Sequence, residues 1–91
     1  MEKIVTVKNG HGLHARPAAL FVKEATGFES EIKISFNGKE VNAKSILNVL
    51  SLGVDQGAEV RLNAEGADSF AALEHLETLL STPDALSGNV S

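Results

Sequence analysis

The stretch richest in reactive side chains is Gly10-His11-Gly12-Leu13-His14-Ala15-Arg16-Pro17-Ala18-Ala19. Pro17 fits the first turn of a helix, where its missing N–H is not needed. The helix then starts near Ala15, with His14 at or beside its N-cap. The free N–H groups of Ala15 and Arg16, the positive end of the helix dipole and the Arg16 guanidinium converge near that imidazole, an arrangement that attracts anions. The chemistry it suits is transient attachment of a phosphoryl group to a ring nitrogen. The attacking nitrogen must be unprotonated, which surrounding positive charge favours. Each helix-end contribution to holding the product is only about 0.3–1 kcal/mol. A group so held stays ready to leave, as a carrier requires. The plain reading of the same histidine is a polar cap.

His11 reads as an exposed loop residue, and Gly12 between the two histidines suits a tight turn. A metal site built on His11 and His14 lacks a third ligand: Glu24 is the first acid downstream of the pair, and His75 lies in the last helical segment. No metal is expected. The chain has no cysteine, which excludes disulfides, zinc–thiolate sites, iron–sulfur clusters and cysteine nucleophiles.

These residues must be positioned by a small scaffold. Ninety-one residues allow one domain with a core of its own. At 43% hydrophobic and 22% charged, the composition is that of a globular chain. No apolar run is long enough to span a bilayer, and the first twenty residues have no signal-like apolar core, so a cytoplasmic protein without membrane partners is expected. The net charge of −4 argues against nucleic acid as a partner. That charge is unevenly spread. Up to Gly53 there are seven basic and five acidic residues; beyond it Arg61 stands alone against seven acids. An anion site belongs in the first half.

The local pattern alternates between the two regular structures. Lys3 to Lys8 is rich in β-branched residues and ends at Asn9-Gly10, which reads as a strand and turn. From Ala15 to Ala25 the period becomes helical, with Ala18, Phe21, Val22 and Ala25 on one side and Gly27 at the stop. Glu31 to Phe36 alternates, Asn37-Gly38 is a hairpin signal, and Lys39 to Asn42 returns as its partner. Ser45 to Leu52 reads as a short helix with Ile46, Val49 and Leu50 inward, ended by Gly53. Ala58 to Ala64 alternates again. Asp68 is a plausible N-cap for a last helix whose stripe is Ala72, Leu73, Leu76, Leu79 and Leu80. The order β-α-β-β-α-β-α predicts an α+β fold: a largely antiparallel sheet with helices on one face. Residues 1–82 are expected to form the single domain and 83–91 a flexible tail.

The segment Gly12-Leu13-His14-Ala15-Arg16-Pro17-Ala18 resembles the phosphorylation-site signature of the HPr family, the histidine phosphocarriers of the bacterial phosphoenolpyruvate-dependent sugar phosphotransferase system. The resemblance continues through Phe21-Val22-Lys23-Glu24-Ala25, Asn37-Gly38-Lys39, Ala43-Lys44-Ser45-Ile46, Ser51-Leu52-Gly53-Val54 and Ala64-Glu65-Gly66. It covers about residues 3 to 80, in order and at matching spacing. Separate blocks of this kind are far more specific than one pentapeptide.

The resemblance implies an open-faced β-sandwich, a four-stranded antiparallel sheet with three helices on one side. It implies that His14 accepts a phosphoryl group on Nδ1 from the phosphohistidine of enzyme I and passes it to a histidine of a sugar-specific IIA domain. Arg16 matches the family's phosphate-assisting arginine. The protein is then a covalent relay, a monomer that needs no cofactor, and not a stand-alone enzyme. Ser45 matches the serine that an HPr kinase/phosphorylase modifies in some bacteria, although capping the 46–52 helix explains it equally. The alternative function is therefore a regulatory binding module of carbon or nitrogen metabolism, switched at Ser45.

Helical spacing also outlines a docking patch. Arg16, Leu20 and Lys23 fall opposite the apolar stripe, which exposes Leu20, and Leu47 lies off the inward stripe of the second helix. With Lys44 these residues make a patch that is apolar at its centre and basic at its rim, suited to brief, steered encounters. Two positions depart from the family pattern. His11 stands where a small polar residue is usual. Asn48 stands where relatives regulated through serine phosphate often have glycine, which weakens a corepressor role.

Overall fold

The computed structural model describes residues 1–86. Its elements are β1 (Glu2–Thr6), α1 (Ala15–Thr26), β2 (Glu31–Phe36), β3 (Lys39–Asn42), α2 (Ile46–Ser51), β4 (Glu59–Glu65) and α3 (Ser69–Ser81). The four strands form one sheet in the order β1-β4-β2-β3, every neighbouring pair antiparallel. This is the α+β open-faced sandwich expected. β1 ends two residues earlier than predicted, because after Thr6 the chain leaves the ladder while still bonding across it: the Val7 amide donates to the Ala58 carbonyl at 2.8 Å.

Strand alternation divides the sheet into two faces. Val5 faces Val60, Ile34 faces Leu62 and Ile32 faces Ala64, all buried beneath the helices. The residues between them, Glu31, Lys33, Glu59 and Arg61, point to solvent on the open side. Asn37 and Gly38 both have positive φ, 55° and 84°, as a two-residue hairpin turn between right-twisted strands requires.

The core is filled from α1 by Ala18, Phe21 and Ala25, and from α3 by Ala72, Leu73, Leu76 and Leu80. Val22 and Leu79, at the margins of their stripes, are half-buried. The second helix differs from its reading. Of the three residues expected to face inward only Val49 is buried; Ile46 and Leu50 are each 36% exposed. Six residues make less than two turns, so a single side chain meets the core, and Leu52 just past the helix supplies the next contact. Leu86, inside the stretch expected to be a tail, is buried, while residues 87–91 lie outside the described residues.

Asp68 is at the N-cap of α3, yet its carboxylate does not cap the helix. It accepts instead from the Glu29 amide at 2.8 Å, the Ser30 amide at 2.9 Å and the Ser30 hydroxyl. These bonds hold its pKa below the ordinary carboxylate value, the Ser30 hydroxyl contributing most. Gly66 makes that junction possible: a Cβ there would lie 2.6 Å from the Ser30 hydroxyl oxygen.

Candidate functional site

The turn that carries His14 is shaped by its own residues. The buried Asn9 side chain donates to the Gly12 carbonyl at 2.5 Å, and the Gly12 amide donates to the Asn9 carbonyl at 3.0 Å. Gly12 has φ +58°, and a Cβ built on it would meet the Val54 carbonyl oxygen at 2.3 Å and the Asp55 α-carbon at 2.7 Å. Only glycine allows that approach. Leu13 follows with its side chain fully buried and its amide donating to the Val54 carbonyl at 2.8 Å. The turn is therefore pinned to the segment between α2 and β4.

His14 occupies the N-cap of α1 with extended backbone, φ −114° and ψ 150°. Its side chain makes no capping bond and is 48% exposed. Ala15 has φ +45°, a left-handed conformation that costs an L-residue roughly 1–2 kcal/mol and that pivots the chain into the helix. Pro17 is buried in the first turn, as its fixed φ suits. With no side chain capping them, the first-turn amides stay open to an outside acceptor.

The ring itself has a partner that the sequence reading missed. Nε2 of His14 lies 2.6 Å from Oδ1 of Asp55, a residue 81% exposed in its side chain. Forty-one positions separate the two, and no spacing or periodicity connects them. The sequence reading placed no carboxylate near the histidine pair. The fold supplies one, from the acidic half of the chain.

Arg16 is exposed and makes no hydrogen bond or ion pair among the described residues. Its guanidinium is uncommitted in this form of the protein. The structure shows no bond between it and His14. Glu24, the first acid after the histidines, is turned away to α3, where its carboxylate lies 2.6 Å from Nε2 of His75.

The expected docking patch is altered in two places. Leu20 is half-buried and packs against the core, since i+4 from Arg16 lies at the edge of the buried stripe and not opposite it. The Lys44 ammonium is half-buried and donates to the Phe28 carbonyl at 2.7 Å, so this cation braces the end of α1 in place of lining a rim. Lys23 is exposed in the last turn of α1, where a cation complements the helix dipole. Leu47 is 76% exposed on α2, and α1 and α2 pack side by side. Ser45 is the N-cap of α2, its hydroxyl accepting from the Asn48 amide at 3.4 Å.

Residues 1–82 match the family described as "PTS HPr component phosphorylation site". The chain is 53% identical over 76 residues to the phosphocarrier protein HPr of Buchnera aphidicola (subspecies Acyrthosiphon pisum), covering 84% of this chain and 89% of that one. Among solved structures, HPr-C-His of Thermoanaerobacter tengcongensis superposes with a TM-score of 0.88 at 44% identity, over 99% of both chains. The phosphocarrier HPr of Bacillus anthracis superposes with a TM-score of 0.87 at 45% identity, over 88% of this chain and 95% of that one. A scaffold, a site loop and a sequence that agree along the whole domain leave one assignment: the chain belongs to the HPr family, phosphocarriers of the phosphotransferase system and not stand-alone enzymes.

Proposed function

We propose that His14 is the residue that carries the phosphoryl group, taking it from the phosphohistidine of enzyme I and giving it to a histidine of a IIA domain during sugar uptake in the cytoplasm. The observation that carries this reading is the placement of the His14 side chain at the N-cap of α1: half exposed, held to Asp55 through Nε2 and making no bond to the helix end. The amides that a capping side chain would occupy are left for phosphate oxygens. Arg16, exposed and without a partner among the described residues, swings to the same group once it arrives.

The transfer is a matter of position and charge. A lone pair on the ring nitrogen of His14 attacks phosphorus in line with the donor's N–P bond, and the electron pair of that bond returns to the donor nitrogen. Nothing in the step is consumed. Loading and unloading are the same reaction run in opposite directions, which suits a site whose separate contacts are each weak. Leu47 and Lys23 stand on the neighbouring helices as an apolar contact and a basic one for successive partners, with Arg16 between docking and chemistry.

The test is incubation of the protein with enzyme I and phosphoenolpyruvate, read by intact mass. One acid-labile, base-stable phosphate is expected, absent from His14→Ala. A wild-type protein that stays unlabelled defeats the reading.

A second reading concerns Ser45, whose half-exposed hydroxyl sits two residues from the most exposed leucine of the chain. Phosphate there would add negative charge at a helix start beside the docking surface. ATP with a cell extract, and Ser45→Ala as control, tests it separately.

A further inference from the structure

We infer that Asp55 is a positioning residue for the carrier reaction: it holds the Nε2 proton of His14, so that Nδ1 presents the lone pair and receives the phosphoryl group. This rests on the reading of His14 given above. It adds the question of which nitrogen reacts, and what makes it that one.

The geometry is specific. Oδ1 of Asp55 is 2.6 Å from Nε2 of His14. A carboxylate has only acceptor sites, so in the neutral ring the proton sits on Nε2 and Nδ1 is left unprotonated. The backbones that present the two side chains are both fixed. Leu13 is bonded to Val54, Gly12 is packed against the Asp55 α-carbon, and the Asp55 carbonyl accepts from the Ala58 amide at 3.1 Å.

The same contact serves the loaded state. When Nδ1 forms its bond to phosphorus, the proton on Nε2 stays and the ring becomes an imidazolium. No proton moves to or from solvent. Asp55 faces the positive charge that has formed, on the side of the ring away from the phosphoryl group. On transfer to the next acceptor the N–P electron pair returns to Nδ1, and the ring is again the neutral form with its proton on Nε2. The carboxylate thus accounts for an acid in a site built for an anion: it touches the ring nitrogen that does not carry the phosphate.

Nitrogen-15 spectra of the unphosphorylated protein read the ring directly. In wild type, His14 is expected in the Nε2–H form. In Asp55→Ala the Nδ1–H form should gain population, and the initial rate of phosphoryl acceptance should fall about two- to five-fold, the range an exposed ion pair supports. Asp55→Asn, which keeps an acceptor oxygen without the charge, should retain more of the Nε2–H form than Asp55→Ala. Phosphorus spectra of the loaded wild type should place the group on Nδ1. Tautomer populations in Asp55→Ala equal to those of wild type would overturn the inference, as would phosphate on Nε2. The ring spectra need no phosphate, so a wild type that accepts none defeats the carrier reading while the role of Asp55 is still decided by the tautomers.

Discussion

The Leu13 amide donates to the Val54 carbonyl at 2.8 Å, beneath a Leu13 side chain that is wholly buried. His14 and Asp55 are the next residues along each chain segment, and their side chains meet at 2.6 Å. One backbone bond thus sets the register between the turn before α1 and the segment before β4. A buried core leucine thereby fixes where these two polar side chains can meet.

Gly12→Ala tests that register. Its φ of +58° and the 2.3 Å approach of a Cβ to the Val54 oxygen give the methyl group no place to go. The expected loss of stability is of order 1–3 kcal/mol by urea unfolding. The ring signals of His14 should move as well, because the turn must lift away from Asp55. A variant as stable as wild type contradicts the close approach.

The scaffold was legible because its signals are local. The alternation of Glu31 to Phe36, the Asn37-Gly38 turn and the stripes of α1 and α3 each depend on neighbours within a few residues. The placement of His14, Arg16 and Ser45 beside helix starts was legible for the same reason, since Pro17 or a capping hydroxyl announces each start. Asp55 was not, since its partner is brought to it by sheet order and one loop-to-loop bond. The burial of Ile46 and Leu50 was misjudged because a helical wheel assumes more turns than α2 has. Lys44 was misjudged because its carbonyl acceptor, Phe28, lies sixteen residues away.

Arg16 separates stability from transfer. An exposed side chain with no partner among the described residues contributes little to folding, so Arg16→Ala should shift stability by no more than about 0.5 kcal/mol. A hydrogen bond to a charged group is worth about 1.5–3 kcal/mol, so phosphoryl acceptance should slow roughly ten- to hundred-fold. Arg16→Lys should recover only part of the rate, having the charge without the planar fork. Equal losses in stability and rate would mean that Arg16 acts through the fold.

Ser45 and Leu47 are expected to respond to opposite probes. The Ser45 cap is long at 3.4 Å, so Ser45→Ala should cost only about 0.5 kcal/mol, the low end for such caps. Ser45→Asp keeps an oxygen acceptor and adds charge at a helix N-terminus, leaving stability near wild type. If acidic partners dock over α2, that variant should exchange phosphate more slowly, and the deficit should shrink as salt rises. Leu47→Ala should slow exchange at all salt concentrations without unfolding the domain. Exchange rates unchanged in both variants would remove α2 from the docking surface.

Asp68 makes stability depend on acid. Its folded-state pKa lies below the ordinary value, chiefly through the Ser30 hydroxyl and then the Glu29 amide. Between the two values the unfolded chain binds the proton and the folded one does not, so stability rises with pH there. The contribution is complete above the unfolded carboxylate value, about 3.9, and is lost as pH falls through the folded one. Asp68→Ala should therefore be less stable than wild type at neutral pH, and the gap should narrow steadily below about pH 4. Ser30→Ala, which keeps both amide donors but removes the largest contributor, should raise the Asp68 carboxyl toward its ordinary value when followed by carbon-13 titration. A gap that persists unchanged into strong acid would show that Asp68 acts by packing and not by accepting those bonds as a carboxylate.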